Sequence, residues 1–422
     1  MHFFGDLAQG ASDDWDGEGR SNLQEYRHGT DPTWFATWYV DGAVPVSGDG
    51  TSWERAFRTV QDGIDRASEG DMVLVAEGIY FENIHFGGEN ITLRSTDPLN
   101  ASVVAGTIID GGQRDSVVTF HGTEDETCLL SGFTIRNGAR IRSGGGGVSG
   151  RETRAVIENN VITANSGLGG GLCDCEGTIQ RNVIGGNLGC GLYSCHGLIL
   201  NNLIAANSEA SMGGGLYWCN GPIRNNTIFG NSAGHFGGVY GCSGPIKNCI
   251  ISGNTAEDGE QIGLSSSPVY CCIPGLSAGG QGNIAGDPRF VDAQNGDFRL
   301  LPDSPCIDSG LNSPDLPEFD IGGMPRIMFG GKSLTVDMGA YEFYVNALTP
   351  GPNPDQTTFT WSSLADKTYS IFYTDDLSNW HLAIDNFPSF GNQTTSWTDD
   401  GSLTGLAPLL APKRFYRLLE NL

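Results

Sequence analysis

The sequence predicts an all-β chain: a right-handed parallel β-helix with a helical N-terminal cap, followed by a small C-terminal antiparallel β-sandwich. Three observations carry this. From Gly169 to Asn254 the chain repeats itself four times, as GGGLCDCEGTIQRNVIGGN, CGLYSCHGLILNNLIAAN, GGGLYWCNGPIRNNTIFGN and FGGVYGCSGPIKNCIISGN. Columns of one residue type follow the repeat: Cys175, Cys195, Cys219 and Cys242 at intervals of 20, 24 and 23; Asn160, Asn182, Asn202, Asn226 and then Cys249; and, five residues later each time, Asn165, Asn187, Asn207, Asn231 and Asn254. A period of 20 to 24 without helical apolar spacing marks a solenoid whose every coil is one supersecondary unit. Finally, beyond TPGPNP the text breaks into short strands with turn signals about every ten residues.

Each coil can be read further. Val161-Ile162, Val183-Ile184, Leu203-Ile204, Thr227-Ile228 and Ile250-Ile251 lie between the two asparagine columns and mark a strand, with glycine-rich corners. Stacking at about 4.8 Å per coil sets like side chains over like. Asparagine ladders and a cysteine ladder follow. Their spacing suits buried thiols more than a disulfide framework, although neighbouring coils bring α-carbons within bridging range. The adjacent Cys271 and Cys272 have no place in this scheme.

Composition narrows the function classes. The 422 residues hold 63 glycines, and 38% hydrophobic content is ample for a core and argues against disorder. A formal net charge of -26 argues against nucleic acid and against unassisted binding of polyanionic glycans. No run of about 18 apolar residues is present, so no transmembrane helix is expected. The first 30 residues lack the layout of a signal peptide, and the chain opens almost at once into a loop motif; an upstream segment is expected to have been removed. The organisation is read as a calcium-loop segment (1–36), a β-helix (37–346) and a β-sandwich (347–422).

Residues 14 to 25, DWDGEGRSNLQE, fit the calcium-loop template D-x-[DN]-x-[DN]-G-x5-E except for Glu18 at its fifth place. Asp14, Asp16 and Glu18 supply carboxylates, Arg20 its carbonyl, Asn22 a side-chain or water contact and Glu25 a bidentate closing ligand. The bland alternative is an acidic turn capping a helix that starts near Asn22. With the trailing EYRHGTDP, the segment resembles single dockerin-like or thrombospondin-type calcium repeats of bacterial surface proteins.

After Thr37, the apolar residues Trp53, Phe57, Val60, Ile64 and Ala67 predict a helix capped by Ser52 or Thr51, with strands at Met72-Val75 and Ile91-Leu93 after it. Such a helix covers the open end of a β-helix. The phrase from Gly70 to Tyr80, GDMVLVAEGIY, resembles the opening coil of pectate-lyase-like β-helix proteins, which implies the fold and no particular activity. Further coil strands are expected over Val103–Ile109, Val117–Phe120 and Leu130–Ile135. Arg136, Arg140, Arg142, Arg151 and Arg154 then form the single basic cluster, read as a solvated loop balancing nearby acids or as a grip for sulfate or carboxylate groups.

Residues 287 to 343 contain DPRFVDAQNGDFRLLPDSPCIDSG, DIGG and VDMGAYEF. These resemble the C-terminal signature of the bacterial choice-of-anchor Q group of β-helix proteins, a resemblance that covers Thr37 to Phe343 and implies that the segment forms the final coils. Asp308, Asp320 and Asp337 stand in these phrases and either orient turns or share a cation. TPGPNP reads as a linker. The strands beyond it suggest a fibronectin- or immunoglobulin-like domain whose aromatics, Trp361, Tyr369, Phe372, Trp380, Trp397, Phe415 and Tyr416, fill its core or line a sugar platform.

Three candidate sites emerge. Arg224 and Lys247 share an outward column, read as preceded by Arg136, Glu158, Gln180 and Leu200; a lyase acting on uronates needs such a base together with acids that hold calcium. Asp174 and Glu176 share a strand face by parity and suit the paired carboxyl groups of a glycosidase by spacing alone. Tyr193, Tyr217 and Tyr240, with Trp218 beside them, recur at one phase and suit stacking on successive sugar rings. If the strand is regular, these tyrosines share the buried face of the cysteines; a bulge separates the two sets. The leading expectation is a secreted or cell-surface module, noncatalytic, with polysaccharides or other surface glycans as ligands. The alternatives are a polysaccharide lyase or glycoside hydrolase, and a filament subunit that self-associates through its coil ends.

Overall fold

Isoleucines and leucines at fixed places in each repeat become the inward faces of stacked strands. Ile157, Ile179, Ile199, Ile223 and Ile246 pair in register along a first sheet. Ile135, Ile162, Ile184, Ile204, Ile228 and Ile251 do so along a second, and Val148, Leu172, Leu192, Leu216 and Val239 along a third. All are buried. In this computed structural model the three sheets hold nine, eight and eight strands, and the chain winds into a parallel β-helix of about eight coils. The structure describes residues 35–139, 144–209, 211–259, 261–276, 280–327, 335–343, 348–350, 355–362, 368–375, 379–388, 394–405 and 414–420. Two compact units divide the chain after Asn283.

The steps between inward residues are uneven in an informative way. Leu172, Ile179 and Ile184 are followed by Leu192, Ile199 and Ile204, then Leu216, Ile223 and Ile228, then Val239, Ile246 and Ile251. Third sheet to first is seven residues in each of these coils, and first to second is five. The return from second to third takes eight, twelve and eleven. All variation in repeat length therefore sits at one corner. The coil below departs from this at the bulge between Ser149 and Thr153, where Arg151 and Glu152 both take positive φ.

The asparagine ladders form as the spacing predicts. Asn182 Nδ2 donates to Asn202 Oδ1 at 3.1 Å, and Asn202 Nδ2 to Asn226 Oδ1 at 3.0 Å. Each amide also takes the backbone N–H of the rung below and donates to a strand carbonyl, as Asn202 does from Asn182 N and to Ile179 O. The first ladder ends in sulfur: Asn226 is followed by Cys249, whose N–H points at Cys271 Sγ at 3.3 Å, while Cys272 bridges to Ile250. That accounts for the adjacent pair. The second ladder ends on Gln261, whose Oε1 accepts from Asn254 Nδ2 at 2.9 Å. In the third column Cys175, Cys195, Cys219 and Cys242 are buried, reduced thiols, and Ser265 continues them by accepting from Cys242 N. Burial pushes the Cys219 thiol well above its ordinary range.

The cap differs from expectation in its start. Phe57 is tied to the first strand, Thr37–Val40, by Phe57 N to Tyr39 O and Asp41 N to Phe57 O, so no helix runs unbroken through it. Residues Trp53–Arg55 make a single 3-10 turn without a side-chain cap from Ser52. The helix proper is Val60–Arg66, capped by Thr59, whose hydroxyl accepts from Asp62 N. It seats Val60, Gly63 and Ile64 on the core end. A β-carbon at Gly63 would stand 2.7 Å from Val73 and 2.8 Å from Val40, so glycine permits the approach. The strand expected over Val103–Ile109 begins instead at Thr107, because Asn100 caps a short helix, Ala101–Gly106, that fills the first part. Leu130–Ile135 is two strands, Leu129–Ser131 and Thr134–Arg136, in different sheets.

In the second unit, residues 287–343 add no described strand to the three sheets; Phe290–Asp292 and Asp297–Leu300 form an antiparallel pair instead. Carboxylates organise the turns here. Asp337 Oδ1 accepts from Asp308 N at 2.7 Å, and Asp320 from Met324 N and Glu342 N. Arg326, 1% exposed, donates to Glu342 at 2.8 Å and to Gly339 O at 2.7 Å. Pro350, assigned to a linker from composition, ends the strand Leu348–Pro350, which pairs with 357–359; residues 351–354 lie outside the described set. Six antiparallel strands then make two three-stranded sheets, with Phe359, Trp361, Tyr369, Ile371 and Trp397 as their core. Those aromatics are therefore packing residues, whereas Trp380 is exposed.

Candidate functional site

The third sheet resolves the alternative left open by its sequence. Between each tyrosine and the next cysteine stands one residue at positive φ: Ser194 at 52°, Trp218 at 60° and Gly241 at 67°, with Asp174 at 54° one coil earlier. A single left-handed residue turns the chain directly after each strand ends at its tyrosine. The cysteines thus point inward at 0% exposure, while Tyr193, Tyr217 and Tyr240 are half-buried on the outer face.

The tyrosines are strict register partners, with ring centroids 5.3 Å and 5.8 Å apart. Trp218, 55% exposed, lies nearly parallel to Tyr217, at 18° and 6.2 Å. A fifth ring was not legible in sequence. Phe236 stacks on Tyr240 at 5.2 Å and 14°, but it comes from the corner of variable length, where no column can be followed. Below Tyr193 the same register position is Cys173, and above Tyr240 it is Gly263, so the aromatic rungs number three. Partial burial raises the Tyr193 hydroxyl pKa, and Asp174 adds to the rise.

Beside the stripe runs a polar column: Glu176, His196, Asn220 and Ser243. Asn220 N donates to His196 Nδ1 at 3.2 Å, and Ser243 N and Oγ donate to Asn220 Oδ1. With Nδ1 an acceptor, the neutral ring carries its proton on Nε2, which faces Ser194 Oγ at 3.3 Å. The pair is then imidazole donor to hydroxyl acceptor. A nucleophilic serine needs the reverse, with Nδ1 donating to an acid.

The other candidates are dispersed. Arg224 and Lys247 are register partners on the outer face of the first sheet, and the column continues downward as Leu200, Gln180, Glu158, Ser131 and Arg94. Arg136 does not belong to it. That residue sits in the second sheet, paired to Asp110 at 2.9 Å; parity within one repeat could not tell which sheet a pre-repeat residue enters. Glu158 is engaged by Gln180 and Arg181 at 2.6 Å and 2.8 Å. Asp174 stands in the left-handed turn of the strand Leu172–Cys175 and Glu176 just past its end, with the buried Cys175 between them. Burial pushes the Glu176 carboxyl up, opposed by neighbouring His196.

In the arginine-rich stretch Arg154 pairs with Glu126 at 3.0 Å, while Arg140 and Arg142 lie outside the described residues. So do all six residues of the calcium loop, Asp14, Asp16, Glu18, Arg20, Asn22 and Glu25. Among the described residues, no three His, Cys, Asp or Glu side chains converge as a metal site, and no helix is long and apolar enough to cross a membrane.

No protein-family model matches the chain, and no curated protein matches it in sequence. Among solved structures, the crystal structure of pectate lyase Pel9A aligns over 73% of this chain and 96% of its own, with 12% identity and a TM-score of 0.36. The parallel coil itself rests on the strand register.

Proposed function

We propose that the chain is a noncatalytic secreted or cell-surface module that binds glycans on the third sheet, through Tyr193, Tyr217, Trp218 and Tyr240. The observation that carries this reading is the in-register stack of tyrosines with an exposed tryptophan laid against its middle ring. An aromatic ring presents an apolar face to the C–H side of a sugar, and the phenol and indole groups add hydrogen bonds at its edge. Fixed on a sheet, the rings lose little freedom on binding. Affinity electrophoresis of the purified chain in gels containing a panel of polysaccharides tests it: at least one glycan is expected to retard the chain, and Trp218→Ser to reduce the retardation. Ser194 holds the same place one coil below, so serine tolerates that turn. Release of unsaturated products or reducing ends, abolished by replacing Arg224, Lys247, Asp174 or Glu176, would instead make the chain a lyase or hydrolase.

Calcium belongs to the same reading. Residues 14–25 supply six ligating positions around Gly19, and a bound ion stabilises whatever it orders. A chelator is expected to lower the melting temperature by several degrees, and Asp16→Ala to remove that response. An identical melting curve with and without chelator would count against a structural ion.

A further inference from the structure

We infer that the ligand of the aromatic stripe is a neutral linear polysaccharide lying along the axis of the β-helix, across the coils, and that acidic glycans are excluded from it. This deepens the reading above and rests on it.

Charge is the first observation. The five upper stretches of the third sheet with their flanking corners, residues 166–177, 188–197, 208–221, 231–244 and 255–266, contain no lysine or arginine; Arg151 stands one coil below them, in the strand Val148–Thr153. The five stretches contain six acids: Asp174, Glu176, Glu209, Glu257, Asp258 and Glu260. Asp174 acts on Tyr193, Glu209 acts on the Cys190 thiol at the entrance to the same strand, and Asp258 faces His235 at 3.7 Å before the strand of Tyr240. The cations of the β-helix that stand in register, Arg224 and Lys247, are on the first sheet. A carboxylated or sulfated chain on the three tyrosine rungs would meet acids and no lysine or arginine from these stretches, within a protein of net charge -26. Nothing there supplies the bidentate or point-charge contacts that recognise such groups.

Direction is the second. The rings succeed one another from coil to coil, at 5.3 and 5.8 Å between centroids, whereas along any one strand a single tyrosine faces outward. A ligand that touches several rings must therefore cross the strands. Trp218 and Phe236 widen the track at its middle and upper rungs, each stacked nearly parallel on its tyrosine. Both stand at positive φ, so the backbone holds each ring at the edge of the sheet.

The test uses the full chain with neutral (cello- and manno-oligosaccharides, β-glucan), acidic (polygalacturonate, alginate) and cationic (chitosan) probes at low salt. A neutral chain is expected to bind, more tightly as it lengthens until it spans the three rungs. Trp218→Ser and Phe236→Ser should each weaken it roughly three- to tenfold, the worth of one stacked ring. Both variants should keep the wild-type melting temperature, which separates lost contact from lost fold. Acidic glycans should fail to bind even without screening salt. Stripe-dependent binding of an acidic or cationic polymer would overturn the inference and leave glycan recognition standing. Affinity that does not rise beyond a disaccharide would overturn the axial track. Failure of every probe would sink the parent reading itself.

Discussion

Asn207→Ala is expected to destabilise the β-helix by about 3–5 kcal/mol, far more than loss of an exposed amide. The side chain is 1% exposed. Its Nδ2 donates to Ile184 O at 3.0 Å and to Asn231 Oδ1 at 2.9 Å, and its Oδ1 accepts from Asn187 N and Nδ2 at 3.3 and 2.9 Å. Each bond contributes about 1 kcal/mol net, and a buried group left without its partner costs more. Alanine would leave the Asn187 N–H without its acceptor, remove a second donor from the Ile184 carbonyl and cut a chain of amides that polarise one another. The urea midpoint of the unfolding curve reads the effect, with exposed Asn220→Ala as the comparison. Solenoids unfold by neighbouring coils, so midpoints are compared rather than one global free energy. Equal midpoints for the two variants would mean that the ladder contributes no more than a surface amide.

The second unit is expected to lose stability as pH rises from about 5 to about 8. Burial raises the Asp337 carboxyl from 3.8 to about 7 and that of Glu342 from 4.5 to about 8. Between those limits the folded unit binds protons that the unfolded chain has released. Stability therefore falls with rising pH, by on the order of 1.4 kcal/mol per unit for each such group, and levels off above the folded values. Glu342→Gln should flatten the upper part of this slope. Arg326→Leu removes the cation that faces Glu342 and is expected to cost about 3–5 kcal/mol above pH 8, where an unpaired carboxylate is left buried. Near pH 5, with that carboxyl protonated, the cost should be smaller. Melting of wild type and both variants at pH 5 and pH 9 decides it; parallel pH profiles for all three would show that the buried carboxyls do not titrate in this range.

The coil and its ladders were legible because one residue type recurs wherever a buried polar side chain must meet its own kind. The corners were not, since a left-handed backbone imposes no single residue type: Asp174, Ser194, Trp218, Gly241 and Leu264 occupy one such column. For that reason parity alone does not say whether Tyr217 faces in or out. Arg136 was misplaced because it precedes the clear repeat, where the helix Ala101–Gly106 interrupts the rhythm. The cap was misread at Trp53 for another reason. An apolar period near 3.6 also arises when a strand partner such as Phe57 happens to fall on it, and only backbone pairing separates the cases.

The corner between the second and third sheets is where added chain does least harm. Seven- and five-residue steps elsewhere hold the asparagines and cysteines in line, so an insertion in those segments would slide a rung out of its column. Between Asn207 and Leu216, or Asn231 and Val239, added chain costs the pairing of Ser232–His235 with Thr255–Asp258 and the packing of Phe236 on Tyr240, but it leaves the amide rungs on either side in their columns. Grafted loops at this point would overhang the tyrosines, and recognition there is open to alteration while the stacked amides beneath are left untouched.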